Sequence, residues 1–231
     1  MNDHAPYDPI ASVYDLHWGA GFSAVAKAAV SCHLPGRLPP GSAVLDLCCG
    51  TGLMLAHLQA LGYRAYGVDE SARMLEAASR NAPDAVLVHA DMADFRFEGQ
   101  FDAVLWFYNS LNHARSYPHL CTTLANVAAH LSPAAVLMFD YVLPEAFEKE
   151  WEWCESFQIR DRAWTLDYRF DRSTGHATCL VNQRDAIRQT AFTPQQITQA
   201  ISAAGLHVLQ ELPMTGSEPS GLRNLVLAAK L

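Results

Sequence analysis

The chain has 231 residues, 50% hydrophobic and 17% charged, with a formal net charge of -8; this suits one sizeable core and offers no clustered Lys and Arg for a duplex nucleic-acid partner. The N-terminal stretch lacks the basic and apolar regions of a secretory signal, and no run approaches the roughly 18 apolar residues of a spanning helix, so the composition reads as a cytoplasmic protein away from membranes. The six cysteines, Cys32, Cys48, Cys49, Cys121, Cys154 and Cys179, form no CxxC. Adjacent Cys48 and Cys49 on a strand would point to opposite faces, so no metal site is expected and the thiols suit a reducing compartment.

In chain order, "YDPIASVYDLHW" at 7–18 precedes apolar residues Val25, Ala26, Ala29 and Val30 at helical spacing, which stop before Pro35. "AVLDL" at 43–47 is a short buried strand, and after Gly52 the residues Met54, Leu58 and Leu61 mark one face of a helix ending at Gly62. "YRAYGVD" is a second strand, and Ser71 is placed to N-cap a helix carrying Met74, Leu75 and Ala78. "AVLVHAD" and "FDAVLWFY" are the third and fourth strands, at 85–91 and 101–108. A helix with Leu120, Leu124, Val127 and Leu131 follows, then a fifth strand, "AAVLMFDYV", at 134–142. This alternation predicts a mostly parallel sheet with helices on both faces.

The rhythm changes at 144–190, where aromatic, strand-like stretches flank a hairpin turn, "DRSTGH", and Trp164, Leu166, Tyr168 and Phe170 alternate onto one face. Helical chemistry returns with Thr193 as N-cap, Pro194 at N1, Gln196 in the capping-box position and Gly205 at the end; "HVLQEL" and "NLVLAAKL" are the last strands. The expected organisation is a single domain over 1–231, with an N-terminal helical lid over 1–35 and a β-rich cap over 144–190.

The stretch "VLDLCCGTG" at 44–52 ends a strand in Asp-x-x-x-Gly-x-Gly and opens a helix, a way to bring backbone close to a ligand. A dinucleotide loop would want a third glycine where this chain has Leu55, and a P-loop would want Gly-Lys-Ser/Thr. Asp46 beside the loop suits a ligand with positive charge. Asp69 closes the second strand, where an acceptor can take both ribose hydroxyls. Asp91 with Met92 after the third strand suits an adenine ring, hydrogen-bonded at its amine and packed on one face.

"VLDLCCGTG", "YGVDES", "HADMADF" and "FDAVLWFYNSLNH" in this order resemble the successive motifs of class I S-adenosylmethionine-dependent methyltransferases. The resemblance covers about residues 40 to 142. It implies a Rossmann-like α/β fold, with a seven-stranded mostly parallel sheet whose last strand is antiparallel and a small β-rich insertion after strand 5. It further implies that Asp46, Gly50 and Gly52 hold the methionine moiety of S-adenosylmethionine, Asp69 the ribose, and Asp91 with Met92 the adenine. Cys48, Met54, Glu70, Ser71, Met74, Phe107 and Asn112 complete the expected cofactor contacts.

The fourth strand ends "FYNSLNH" rather than "NPPY" or "DPPY", which disfavours nucleobase and protein-glutamine acceptors. It resembles the corresponding stretch of small-molecule N-methyltransferases, making Asn109, Asn112 and His113 candidates near the acceptor. His113 is a possible general base, or else a helix-start residue bonded to backbone. The N-terminal segment is similar to the lid of such enzymes; Tyr14, with Tyr7 second, is expected to close over the cofactor, where an aromatic face gains cation–π attraction to a sulfonium. Trp151, Trp153 and Trp164 are read as the insertion's own core. Its arginines, Arg160, Arg162, Arg169, Arg172, Arg184 and Arg188, are balanced by acids and read mainly as a solvated face. The expected enzyme methylates a small molecule at an amine. The alternatives are intramolecular cyclisation of S-adenosylmethionine itself with release of methylthioadenosine, and a non-catalytic binder.

Overall fold

The computed structural model describes residues 5–214 and 222–230, apart from the side chains of residues 20 and 22. Five parallel strands form the middle and one flank of a seven-stranded sheet: β1 (Ala43–Leu47), β2 (Arg64–Asp69), β3 (Val86–His89), β4 (Phe101–Trp106) and β5 (Leu131–Val142). Strands β10 (Leu206–Pro213) and β11 (Arg223–Lys230) complete it in the order β10-β11-β5-β4-β1-β2-β3, with β11 antiparallel to both neighbours. The expected sheet is therefore present, with Leu231 of its last strand outside the described residues.

All five residues of β1 are buried, as a central strand covered on both faces requires. Leu45, Leu47, Val104, Leu137 and Phe139 pack on one face of the sheet, Val44, Ala103, Leu105 and Met138 on the other. Helices α2 (Leu53–Ala60), α3 (Ala72–Asn81), α4 (Tyr117–His130) and α6 (Pro194–Ala203) cover the sheet. Two caps are as read from sequence. The Ser71 hydroxyl accepts the Met74 amide, and Thr193 and Gln196 form a reciprocal capping box.

Element ends differ from expectation for local reasons. β4 stops at Trp106 because Tyr108 and Asn109 take left-handed backbone, φ 66° and 62°. Residues 15–19 form a π-helical turn ahead of α1 (Ala20–His33), and Pro144 starts a short helix, α5 (Pro144–Glu150), at the head of the stretch expected to be β-rich.

Residues 153–190 form a separate four-stranded antiparallel sheet: β6 (Trp153–Ile159), β7 (Arg162–Asp171), β8 (His176–Val181) and β9 (Asp185–Thr190). Its inner face presents Trp164, Leu166, Cys179, Val181 and Ile187, which pack on Ile10 and Val13 of the N-terminal segment. That segment is thus enclosed between the second sheet and the strand ends of the first.

Asn112 fastens the two sheets together. It sits fully buried in a 3-10 turn, Ser110–His113, accepting the Val142 amide at 2.9 Å and donating to the carbonyls of Thr190 at 3.0 Å and Val142 at 3.4 Å. Asn112→Ala leaves buried backbone groups of both sheets unpaired, so chemical denaturation should show a loss of about 2–4 kcal/mol. A loss below ~0.5 kcal/mol would contradict this tether.

Candidate active site

The carboxyl ends of β1, β2 and β4 converge on one edge of the sheet, where parallel α/β folds bind ligands. Two cavities adjoin there. The first is lined by Cys48, Gly50, Met54, Asp69, Met74 and Met92, with Glu70 and Ser110 alongside. The second, about 350 Å³, lies beneath the second sheet and is walled by Trp18, Trp151, Trp153 and Tyr168. Tyr7, Tyr14 and Tyr108 line both, so three phenol rings stand at the junction.

The loop after β1 turns on Cys48, Gly50 and Gly52 at φ 60°, 52° and 81°. Gly52 is fixed twice over, because a Cβ there would also stand 2.9 Å from the Ala78 backbone of α3. Its task is packing, and Gly52 does not line the cavity. Asp69 accepts the Gly50 amide through Oδ2 and the Ser71 amide through Oδ1, both at 2.9 Å. Burial raises this carboxyl to about 6, against the lowering effect of those two amides. Asp46 is buried two residues before Cys48, and its Oδ2 has no hydrogen-bond partner. Burial, and then the nearby charge of Asp69, hold its carboxyl well above the usual range.

Other sequence-predicted residues are placed differently. Asp91 lines neither cavity: its Oδ1 accepts from His119 Nε2 and the Ala93 amide, and its Oδ2 pairs with Arg115. Burial raises its carboxyl, but these partners together lower it overall. Its neighbours Ala90 and Met92 line the first cavity instead. Ser71 is a fully buried helix cap, Phe107 belongs to the core, and Asn112 is consumed by the tether. Asn109 lines only the second cavity, held by its amide on Asp140. Asp140 in turn pairs with Arg223 at 3.1 Å, both under 6% exposed. Trp151 and Trp153 both wall the second cavity, but Trp151 also packs on the apolar clusters of the insertion, as expected, while Trp153 is largely exposed and Trp164 is 1% exposed within the core.

The N-terminal segment is held over the first cavity by two acids that the sequence reading did not single out. Asp8 accepts the Ser71 hydroxyl and Asp15 the Thr51 hydroxyl, each at 2.5 Å. Within this closure the Tyr7 hydroxyl lies 2.9 Å from His113 Nε2, and His113 Nδ1 lies 2.9 Å from the Arg188 carbonyl. A carbonyl only accepts, so Nδ1 carries the proton and Nε2 accepts the Tyr7 O–H. Burial pushes the imidazole down to about 4 and keeps it neutral, while burial raises the Tyr7 and Tyr14 phenols. The signal for Tyr7 and His113 was in the sequence; that for Gln189, whose amide reaches His113 from β9, was not.

Residues 44–134 match the family described as "Methyltransferase domain". A dTDP-3-amino-3,6-dideoxy-alpha-D-glucopyranose N,N-dimethyltransferase of Streptomyces fradiae is 33% identical over 86% of this chain and 84% of its own length. A cypemycin N-terminal methyltransferase of Streptomyces sp is 30% identical over 84% of this chain and 81% of its own. Among solved structures, Streptomyces venezuelae DesVI superimposes with a TM-score of 0.76 at 28% identity, covering 96% of this chain and 98% of that one.

The electrostatics of Asp69 generate a prediction. Its ionised carboxylate is the better acceptor of hydroxyl hydrogen bonds, so S-adenosylmethionine affinity in calorimetry should fall as pH drops through about 6. Asp69→Ala should abolish that dependence and weaken binding by about tenfold or more, the loss of hydrogen bonds to a charged group. Unchanged affinity in Asp69→Ala would remove this residue from the cofactor site.

Proposed function

The chain belongs to the class I S-adenosylmethionine-dependent methyltransferases, and from that premise we propose that it methylates an amine of a small-molecule acceptor seated in the second cavity. S-adenosylmethionine, when bound, supplies a methyl carbon activated by its sulfonium. The first cavity fits it. Met54, Met74 and Met92 offer an apolar wall for a flat base, while Asp46, which lines neither cavity, is a buried carboxyl whose Oδ2 has no hydrogen-bond partner, as an ammonium would provide. In this reading Asp46 and the turn at Gly50 hold the amino-acid end, Asp69 the ribose hydroxyls and Met92 the adenine face. Tyr14 closes the site from the N-terminal segment. The six cysteines form no disulfide, which suits a reducing, cytoplasmic setting, and no described helix is long and apolar enough to cross a membrane.

The observation that carries the amine reading is the Tyr7–His113 pair at the junction of the cavities. Because His113 accepts the Tyr7 hydroxyl proton, the phenol oxygen is left with its lone pairs free for a donor. An amine N–H resting on that oxygen is turned so that its own lone pair faces away, toward the first cavity. A ring with a pKa near 4 is too weak a base to hold an ammonium proton, so His113 acts through Tyr7 as a positioning residue. Alignment and exclusion of water are most of what such a displacement asks of the protein. Of the curated relatives that share most of this chain, one is by name an N,N-dimethyltransferase and another an N-terminal methyltransferase.

The test is turnover with a panel of primary and secondary amines, followed by S-adenosylhomocysteine formation. Turnover with S-adenosylmethionine alone, releasing methylthioadenosine, would replace this chemistry with self-consumption of the cofactor. On an identified acceptor, Tyr7→Phe and His113→Gln should each lower kcat about tenfold or more with cofactor affinity unchanged. The double variant should lose no more than either single one. The acid limb of kcat/KM should follow the acceptor's own ammonium pKa and stay in place in His113→Gln. A limb that moves with His113 would make it a proton acceptor instead.

A further inference from the structure

The second cavity, read as the acceptor site, has a charge pattern that restricts what the amine is attached to. Two carboxylates line it, Glu150 and Glu155. The only guanidinium among its lining residues, that of Arg223, is 4% exposed and already holds Asp140. His17, the one other basic side chain in that wall, is paired with Glu155 at 3.2 Å. The six arginines of the 144–190 segment are exposed and line neither cavity; Arg169 pairs with Asp167 and Arg162 lies over Trp164. The segments outside the described residues, 1–4, 215–221 and 231, contain no Lys or Arg.

Two residues of this wall also carry a buried amide oxygen without a donor. Gln189 is 7% exposed, and its Nε2 faces His113 Nε2 at 3.4 Å, the ring nitrogen that accepts. That contact turns Oε1 the other way, where it has no partner; the Oδ1 of Asn109 has none either. Aromatic rings complete the wall, Trp153 stacked on Tyr168 with centroids 4.6 Å apart. Carboxylates, unpartnered amide oxygens and aromatic faces together receive N–H and O–H donors and cations. A diphosphate asks for the opposite: guanidinium forks, ammonium groups or free helix N-termini.

Resting on the amine-methylation reading, we infer that the acceptor is phosphate-free. It is a hydroxylated or cationic amine, free or on a simple glycoside, and not one carried on a nucleoside diphosphate. Gln189, Asn109 and the second oxygen of Glu155, whose Oε1 already takes His17 and Tyr168, receive its N–H and O–H groups. This departs from the dTDP-linked sugars named for the Streptomyces fradiae relative.

The experiment is a binding titration of the full chain saturated with S-adenosylhomocysteine, read by fluorescence of the tryptophans that wall the cavity. The probes are a methyl 3-amino-3,6-dideoxyglucoside and the same amino sugar as its dTDP ester. The glycoside should bind about tenfold or more tightly than the ester, and Glu155→Gln should narrow that gap about threefold or more while leaving S-adenosylhomocysteine affinity unchanged. Equal or tighter binding of the ester, or binding of neither probe, overturns the inference. Turnover of both probes is measured in parallel. Methylation that favours the ester sinks the charge argument and leaves amine methylation standing, whereas the expected binding order without methylation of either does the reverse.

Discussion

A single carboxylate, Asp69, holds together the edge on which everything else is built. Its two oxygens take one backbone amide from the loop after β1 and one from the loop after β2. Two adjacent parallel strands must each turn away at the same edge, and each turn leaves amides pointing into the gap. Satisfying both from one side chain fixes the loops at a constant separation and opens a concave floor between them. Burial is the cost, visible in a carboxyl raised to about 6.

Much of this was legible in the sequence because it is local. β1 and β2 announce themselves as short apolar runs, Ser71 and Thr193 as caps, and the glycine loop by its spacing. The four motifs in register named the family, and the seven-stranded sheet and the enzyme class agree with it. What escaped depends on contacts between distant segments. Asn112 read as a ligand-facing polar residue, yet its partners are Val142 and Thr190, 30 and 78 positions away. Asp91 read as an adenine acceptor, but α4 brings His119 to it, and Arg115 arrives from just before that helix. Trp153 read as core because nothing in a one-dimensional pattern says which face of an insertion meets a cavity.

The left-handed residues follow a related logic. Cys48, Tyr108 and Asn109 adopt positive φ without being glycine, each at a cost of about 1 kcal/mol or more. All three lie just after strands at the ligand edge and line a cavity. Asn109 is held there by Asp140, whose other oxygen is taken by Arg223, so a buried ion pair on β5 and β11 sets the backbone of the loop after β4. At these three positions the strain sits where side chains are aimed; Arg160, Asn182 and Gln183, which also take positive φ, lie instead in the hairpin turns of the second sheet.

The N-terminal segment adds a consequence of a kinetic kind. Tyr7 and Tyr14 belong to the walls of both cavities, while Ile10 and Val13 between them are anchored in the second sheet. One stretch of chain therefore serves as partition, door and hinge pin at once. Neither chamber can be emptied through this wall without loosening the other, and loosening it means parting Asp8 from Ser71 and Asp15 from Thr51. If the two chambers hold cofactor and acceptor as proposed, both ligands leave past this one stretch of chain, and the tempo of successive rounds is tied to its motion.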